Sequence, residues 1–231
     1  MEYATTTPLT EPLLKEAMKK MEDDENRASF YDEAVELFNA KPVPYPIQAF
    51  IIILAIWNIG RFSKVPNKSN TIKELRSRFE ENTDAFKSIK DYTLQTADLD
   101  DKELCNNIKM IYDSFRKING IEFTGASKIM HICNPELFVM WDSYISGNYQ
   151  TKKLYGECNI PYFQYNRKNV DSYITFLKHQ QARIKDVKWV NPTSPVRTLA
   201  KVIDEYNYVH ITIKMQDKQK EIDKAKRAER R

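Results

Sequence analysis

Helical periodicity most constrains the fold of this 231-residue chain, because it recurs in nearly every segment. Residues 10–21, "TEPLLKEAMKKM", and 27–39, "RASFYDEAVELFN", both repeat apolar residues three or four positions apart. Residues 208–213, "YVHITI", alternate like a β-strand. A single short strand has no partner to pair with, so helix is favoured there as well. The sequence therefore predicts an all-α protein.

The longest apolar run, "PIQAFIIILAIWNIG" from Pro46, predicts a buried central helix, because it is apolar on every side. The run is closed by Arg61 and is too short to span a bilayer, so no membrane partner is expected. Residues 1–213 are predicted to form one helical domain, either undivided or split into two lobes with a cleft between them. Residues 214–231 are predicted to form a basic helical tail.

The net charge of +4 is concentrated in this tail. Residues 214–231 carry eight Lys or Arg against four Asp or Glu, so the rest of the chain is formally neutral. Two interpretations stay open. The tail contacts nucleic acid, where each phosphate contact releases counterions, or it is a solvated helix that keeps the protein soluble.

The cysteine pattern predicts a reducing, intracellular and cytoplasmic location. Cys105, Cys133 and Cys158 share no close spacing and are odd in number, so they encode neither a disulfide framework nor a zinc or iron–sulfur cluster. The amino-terminal residues lack the pattern of a secretory signal. The three histidines share no ligand spacing either: His131, His179 and His210. No metal or other cofactor is predicted.

Residues 118–145, "INGIEFTGASKIMHICNPELFVMWDSYI", hold two of the chain's five glycines, Gly120 and Gly125. They lie between two helical patterns, the first ending near Ile118 and the second starting near Gly125. This predicts a helix, a tight hairpin and a second helix. Glycines in the turn allow close approach of the backbone, and the amides at a helix N-terminus favour an anion such as phosphate.

This stretch resembles the helix-hairpin-helix signature of the DNA glycosylase superfamily, typically Leu-Pro-Gly-Val-Gly-x-Lys-x-Ala with an aspartate eighteen residues beyond the lysine. Residues 118–121 take the place of Leu-Pro-Gly-Val, and Ala126 that of the alanine. Asp142 falls on the family's aspartate. The resemblance implies a helix-hairpin-helix glycosylase-like fold, double-stranded DNA as the partner of a monomer, and Asp142 as the catalytic carboxylate.

Two residues differ from the family pattern. Glu122 stands at the second hairpin glycine, and Thr124 stands at the lysine that forms a Schiff base in the bifunctional branch. A hydroxyl cannot form that imine, so the resemblance implies a monofunctional, hydrolytic enzyme. Lys128 lies one helical turn further on the same face. It is expected to contact phosphate from a solvent-facing position, with substitution for the missing lysine as the alternative.

Further binding residues are expected, of which Lys152 and Lys153 are suggested by the mixture of aromatic and basic residues after Asp142. Those expected to contact DNA are Gly120, Ile121, Gly125, Ser127, Asn58, Arg61, Lys152 and Lys153. Asn58 stands where the family's early helix supplies a residue that wedges into the duplex. The walls against which a flipped base would stack are Trp57, Trp141 and Tyr144.

Three alternatives stay open at the level of sequence. Asp142 precedes "SYIS" and also fits a helix N-cap. The mixture of tyrosines, lysines and arginines in residues 144–168 suits either base stacking on a DNA-binding surface or a loop that seals the core. The whole chain is a glycosylase acting on a damaged or modified base, a non-catalytic DNA-binding module, or a helical protein-interaction domain.

Overall fold

The computed structural model describes residues 8–24, 28–42, 44–147, 152–160, 162–189 and 197–229, and within these ranges every regular element is helical. The first six helices are α1 (Glu11–Asp24), α2 (Ala28–Asn39), α3 (Pro46–Trp57), α4 (Ile59–Phe62), α5 (Lys68–Glu81) and α6 (Thr83–Ile89). The next four are α7 (Lys102–Arg116), α8 (Glu122–Cys133), α9 (Lys152–Glu157) and α10 (Asp171–Arg183). The last are α11 (Leu199–Asn207), a π-helical segment (Tyr208–Ile213) and α12 (Lys214–Glu229). The predicted all-α class is confirmed.

Local capping signals set several helix starts. The Asp101 carboxylate accepts a hydrogen bond from the Leu104 amide at 2.7 Å and caps α7. The Asn67 side chain accepts one from the Asn70 amide at 3.1 Å and caps α5.

The central helix is α8 and not α3, which corrects the prediction from hydropathy. All residues of α8 from Thr124 to Ile132 are buried, whereas Ile51 and Ile52 of α3 are only half-buried. Polar residues can occupy a central helix when their groups find partners. The Ser127 hydroxyl donates to the Thr124 carbonyl at 2.9 Å, and a His131 ring nitrogen bonds the Tyr31 hydroxyl at 2.8 Å. Burial lowers the pKa of His131 to about 4.

The carboxyl-terminal helices form one continuous rod. The segment Tyr208–Ile213 is helical as expected, but its turns are wider than those of an α-helix. Met215 in α12 is fully buried, so the core continues beyond residue 213. Further along, α12 is exposed, and Lys220 pairs with Asp217 at 2.8 Å. None of the described helices has the length and apolarity needed to cross a bilayer.

Candidate active site

A cavity of about 460 Å³ opens between the end of α3, the start of α8, residues 140–145 and the carboxyl-terminal rod. Eight residues selected from the sequence line it: Trp57, Asn58, Arg61, Thr124, Lys128, Trp141, Asp142 and Tyr144. Five lining residues come from the rod: Lys201, Asp204, Tyr208, Thr212 and Gln216. Tertiary packing thus brings together residues that are far apart in the sequence.

Asp142 combines the two roles that the sequence left open. Its Oδ1 accepts hydrogen bonds from the amides of Tyr144 and Ile145, both at 2.8 Å, and so caps the turn at residues 143–147. Its Oδ2 accepts one from the Thr212 hydroxyl at 2.8 Å. The capping bonds leave the carboxylate at the cavity wall in a fixed orientation. An N-cap and a cavity-facing acid are therefore compatible in this residue.

The ionisation of Asp142 is set by opposing effects. Burial raises the pKa of Asp142 above its ordinary value, while the Ile145 amide, the Thr212 hydroxyl and the Lys128 ammonium oppose that rise. A carboxyl with a raised pKa holds its proton to higher pH than an exposed aspartate does. As the pH falls, a reaction that needs the ionised carboxylate would therefore begin to slow at a higher pH than it would with an exposed aspartate.

Lys128 does not face solvent, which corrects the expectation from the sequence. Its side chain is 8% exposed and lines the cavity that contains Asp142. The reason is the central position of α8, which buries that helix on several faces. A cation inside the cavity, close enough to affect the pKa of Asp142, is therefore part of the site and not a peripheral phosphate contact.

The hairpin begins and ends earlier in the sequence than predicted. Helix α7 ends at Arg116 and α8 begins at Glu122, so residues 117–121 form the turn. Gly120 has a φ of +83°. Glu122 has a φ of +52°, a left-handed conformation that L-residues with side chains adopt at a cost. Glu122, which the sequence resemblance aligned with the family's second hairpin glycine, thus has a conformation suited to glycine.

Asn58 holds this hairpin in place and does not project toward a duplex. Its side chain is 5% exposed, and its Nδ2 donates to the carbonyls of Gly120 at 2.9 Å and of Ile121 at 3.3 Å. The wedge role expected for Asn58 is corrected accordingly. These contacts tie the end of α3 to the turn before α8.

Three other expected DNA contacts are also corrected. Ile121 and Ser127 are fully buried, and the Ile121 amide donates to the Ile118 carbonyl at 3.1 Å. The Gly125 amide donates to the Ile121 carbonyl at 3.0 Å. A Cβ on Gly125 would lie 2.8 Å from the Ile121 side chain and 3.0 Å from that of Leu54. Gly125 therefore permits close helix packing and does not present a free amide to phosphate.

The aromatic walls differ in exposure. The Trp141 side chain is 1% exposed, and its ring lies 5.2 Å from the rings of both Tyr173 and Phe176. Trp141 therefore belongs mainly to an aromatic cluster in the core, which corrects its role as a stacking wall. Trp57 and Tyr144 are half-buried and line the cavity, so they keep an accessible surface for a planar ligand.

The tyrosine-rich stretch after Asp142 mostly seals the core. Tyr155 and Tyr165 are buried, whereas Tyr149 lies outside the described residues. Lys152 and Lys153 are exposed on α9 and are not part of the cavity. Their assignment to DNA binding stays a prediction that concerns a different surface.

The rod residues were missed at the level of sequence. Asp204, Tyr208, Thr212 and Gln216 follow one another at intervals of four residues and all line the cavity. In an α-helix of 3.6 residues per turn, residues spaced four apart move gradually from one face of the helix to the next. The wider turns of the π-helical segment offset this movement and keep these residues on one face. The four-residue spacing of these polar side chains could have been detected in the sequence, but the strand-like alternation of residues 208–213 obscured it.

Lys201 places a second cation at the cavity. Its Nζ lies 3.2 Å from the Asp204 carboxylate and 3.4 Å from that of Glu205, and 5.0 Å from the centre of the Trp57 ring. Burial alone would lower the pKa of Lys201, but the Glu205 and Asp204 carboxylates outweigh burial and raise it. Lys201 is therefore a stable cation beside Trp57.

Comparisons with protein-family models, curated proteins and solved structures find no match to this chain. The site must therefore be interpreted from its own geometry. Among the described residues, no three His, Cys, Asp or Glu side chains are grouped so as to hold a metal ion.

The hairpin geometry gives a first testable expectation. Replacing Glu122 with glycine should relieve the left-handed strain, and Glu122→Ala should not, because both variants lose the 3.0 Å ion pair with Arg61 but only alanine keeps a Cβ. We expect Glu122→Gly to be more stable than Glu122→Ala by about 1 kcal/mol. Urea denaturation of the two variants measures this difference. Equal stabilities would show that Glu122 is unstrained.

Proposed function

We propose that this chain is a monofunctional DNA glycosylase, which hydrolyses the N-glycosidic bond of a damaged or modified base and leaves an abasic site. The observation that supports this most strongly is the Asp142 carboxylate, fixed by three hydrogen bonds at the wall of a cavity beside the hairpin. The cavity volume of about 460 Å³ lies within the range of small-ligand sites and suits an extruded base.

The chemistry requires a carboxylate in this setting. When the bond between C1′ and the base nitrogen breaks, the base leaves with the electron pair and positive charge develops on the sugar. An ionised Asp142 would stabilise that charge and accept the proton of an attacking water, whose oxygen bonds to C1′. The departing base, which carries the electron pair of the broken bond, finally takes up this proton. Trp57 and Tyr144 would hold the base by stacking.

The decisive experiment incubates the protein with duplexes that carry oxidised, alkylated, deaminated or naturally modified bases, such as those of phage genomes. Alkali treatment then reveals abasic sites as strand breaks. Breaks at one class of base support the proposal. Duplex binding without breaks would favour a non-catalytic DNA-binding module, in which Glu122 and Thr124 reflect the loss of catalysis. No salt-dependent duplex binding would favour a protein-interaction domain.

The product distinguishes hydrolysis from attack by an amine. Thr124 offers no amine, and its hydroxyl accepts a hydrogen bond from Arg61 Nη1 at 3.0 Å. Lys128 is in the cavity, but it lies about one helical turn, roughly 5 to 6 Å, beyond Thr124 and so away from the position of the family's nucleophilic lysine. We expect intact abasic DNA, strand scission only after added alkali, and no covalent complex after borohydride treatment.

Lys128→Ala is the control for this expectation. A complex trapped with the original protein but absent with Lys128→Ala would show that Lys128 is a nucleophile and that the enzyme is bifunctional. A complex that persists in the variant would place the reactive amine elsewhere in the chain.

The bond between Thr212 and Asp142 gives a prediction about pH. The Thr212 hydroxyl stabilises the ionised carboxylate, so Thr212→Val should raise the pKa of Asp142 further. The acidic limb of the rate profile for base release should therefore move to higher pH, while Thr212→Ser should keep the original limb. Single-turnover rates across pH measure this shift. If both variants keep the original limb, Thr212 does not act on the reacting carboxylate.

A further inference from the structure

Two arginines stack on one phenylalanine next to the hairpin. The Cζ atoms of Arg61 and Arg167 lie 4.6 and 4.1 Å from the centre of the Phe123 ring. Phe123 belongs to the first turn of α8, whereas Arg61 comes from α4 and Arg167 from the segment before α10. Three distant parts of the chain therefore meet at this stack, which we call the arginine clamp.

The two guanidinium groups have different partners. Arg61 donates to the Thr124 hydroxyl and pairs with Glu122 through Nε at 3.0 Å. Arg167 is half-buried, and among the described residues its guanidinium has no hydrogen-bond or ion-pair partner. A guanidinium carries five donors in a planar fork that matches the oxygens of a phosphate. Arg167 is thus held by its ring contact with its donors available.

The electrostatic setting favours an anion at the clamp. Burial and the neighbouring Arg61 charge lower the pKa of Arg167, and the groups that oppose this effect are Tyr112, Glu122 and Asp142. Two like charges held on one ring repel each other, and a single exposed carboxylate, that of Glu122, pairs with Arg61. A bound anion would relieve this repulsion.

The position of the clamp identifies the anion. Arg61 lines the cavity that contains Asp142, and Phe123 directly follows Glu122 at the start of α8. A nucleotide that enters the cavity keeps its backbone phosphates outside, near the cavity entrance. We infer that Arg61, Phe123 and Arg167 bind one phosphodiester of the DNA strand whose nucleotide enters the cavity. This inference rests on the proposed function and deepens it.

The test measures duplex binding as a function of salt concentration. Arg167→Gln should weaken binding about tenfold and reduce the salt slope by about 0.9, the value for one lost phosphate contact. Arg167→Lys should recover part of the slope, because lysine keeps the charge but not the planar fork. The matched control is Lys168→Gln, which removes an exposed cation one residue away and should leave the slope unchanged.

A second measurement locates the contacted phosphate on the DNA. Duplexes with one uncharged methylphosphonate linkage, placed successively around the released base, should show one position where the original protein loses affinity. Arg167→Gln should be insensitive at that position. An unchanged salt slope in Arg167→Gln, or equal sensitivity of both proteins at every linkage, overturns the clamp while leaving the proposed glycosylase intact. If the original protein binds no duplex, both the clamp and the proposed function are overturned.

Discussion

Asp142→Asn is expected to reduce base release by at least about 100-fold, the usual cost of removing a group that acts in the transition state. An amide carries no negative charge to stabilise the sugar cation and accepts no proton from water. The side-chain oxygen of asparagine can still accept the two amide bonds from Tyr144 and Ile145 that fix the turn. The fold should therefore survive the loss of the charge.

The comparison with Asp142→Ala separates catalysis from capping. Alanine removes both functions and should additionally cost about 1 kcal/mol of unfolding free energy, as other lost caps do. Single-turnover base release and thermal unfolding, measured on both variants, provide the two readouts. Full activity in Asp142→Asn would show that the residue is only a cap. A large loss of stability in that variant would show that the buried charge itself maintains the fold.

Gly120→Ala should lower the free energy of unfolding by about 2 to 5 kcal/mol, because two costs add. The φ of +83° is unfavourable for any residue with a Cβ, and that Cβ would lie 2.0 Å from Cγ2 of Val65. Val65 is itself buried and cannot move away freely. Denaturant unfolding of the variant and the original protein measures the difference.

Two further substitutions test the cause. Gly60→Ala, at an exposed position of α4, meets no atom within 4 Å and should leave stability unchanged or slightly raised. Adding Val65→Ala to Gly120→Ala should remove the clash and recover the stability lost to it, but not the stability lost to the positive φ. The effects of the two substitutions on unfolding free energy should therefore not be additive. Simple additivity would mean that the backbone shifts to avoid Val65.

Local interactions explain what could be predicted from the sequence. Apolar periodicity and capping residues act within one or two helical turns, so the helical class and the approximate bounds of α1, α2 and α3 could be predicted. The interval between the hairpin and Asp142 is likewise a property of a short segment, and several residues of that segment line one cavity. Without the tertiary partners, the same pattern could not distinguish an N-cap from a cavity-facing acid.

Only the tertiary structure decided which polar residues are buried and which surround the cavity. The bond from Thr212 to Asp142 spans 70 residues, and that from Asn58 to Gly120 spans 62. Contacts over such separations depend on how the whole set of helices packs, and no local pattern encodes them. For the same reason the sequence placed Lys128 at the surface. The sequence determined the helices and the hairpin with its acidic residue, and the packing of α8 at the centre determined the site.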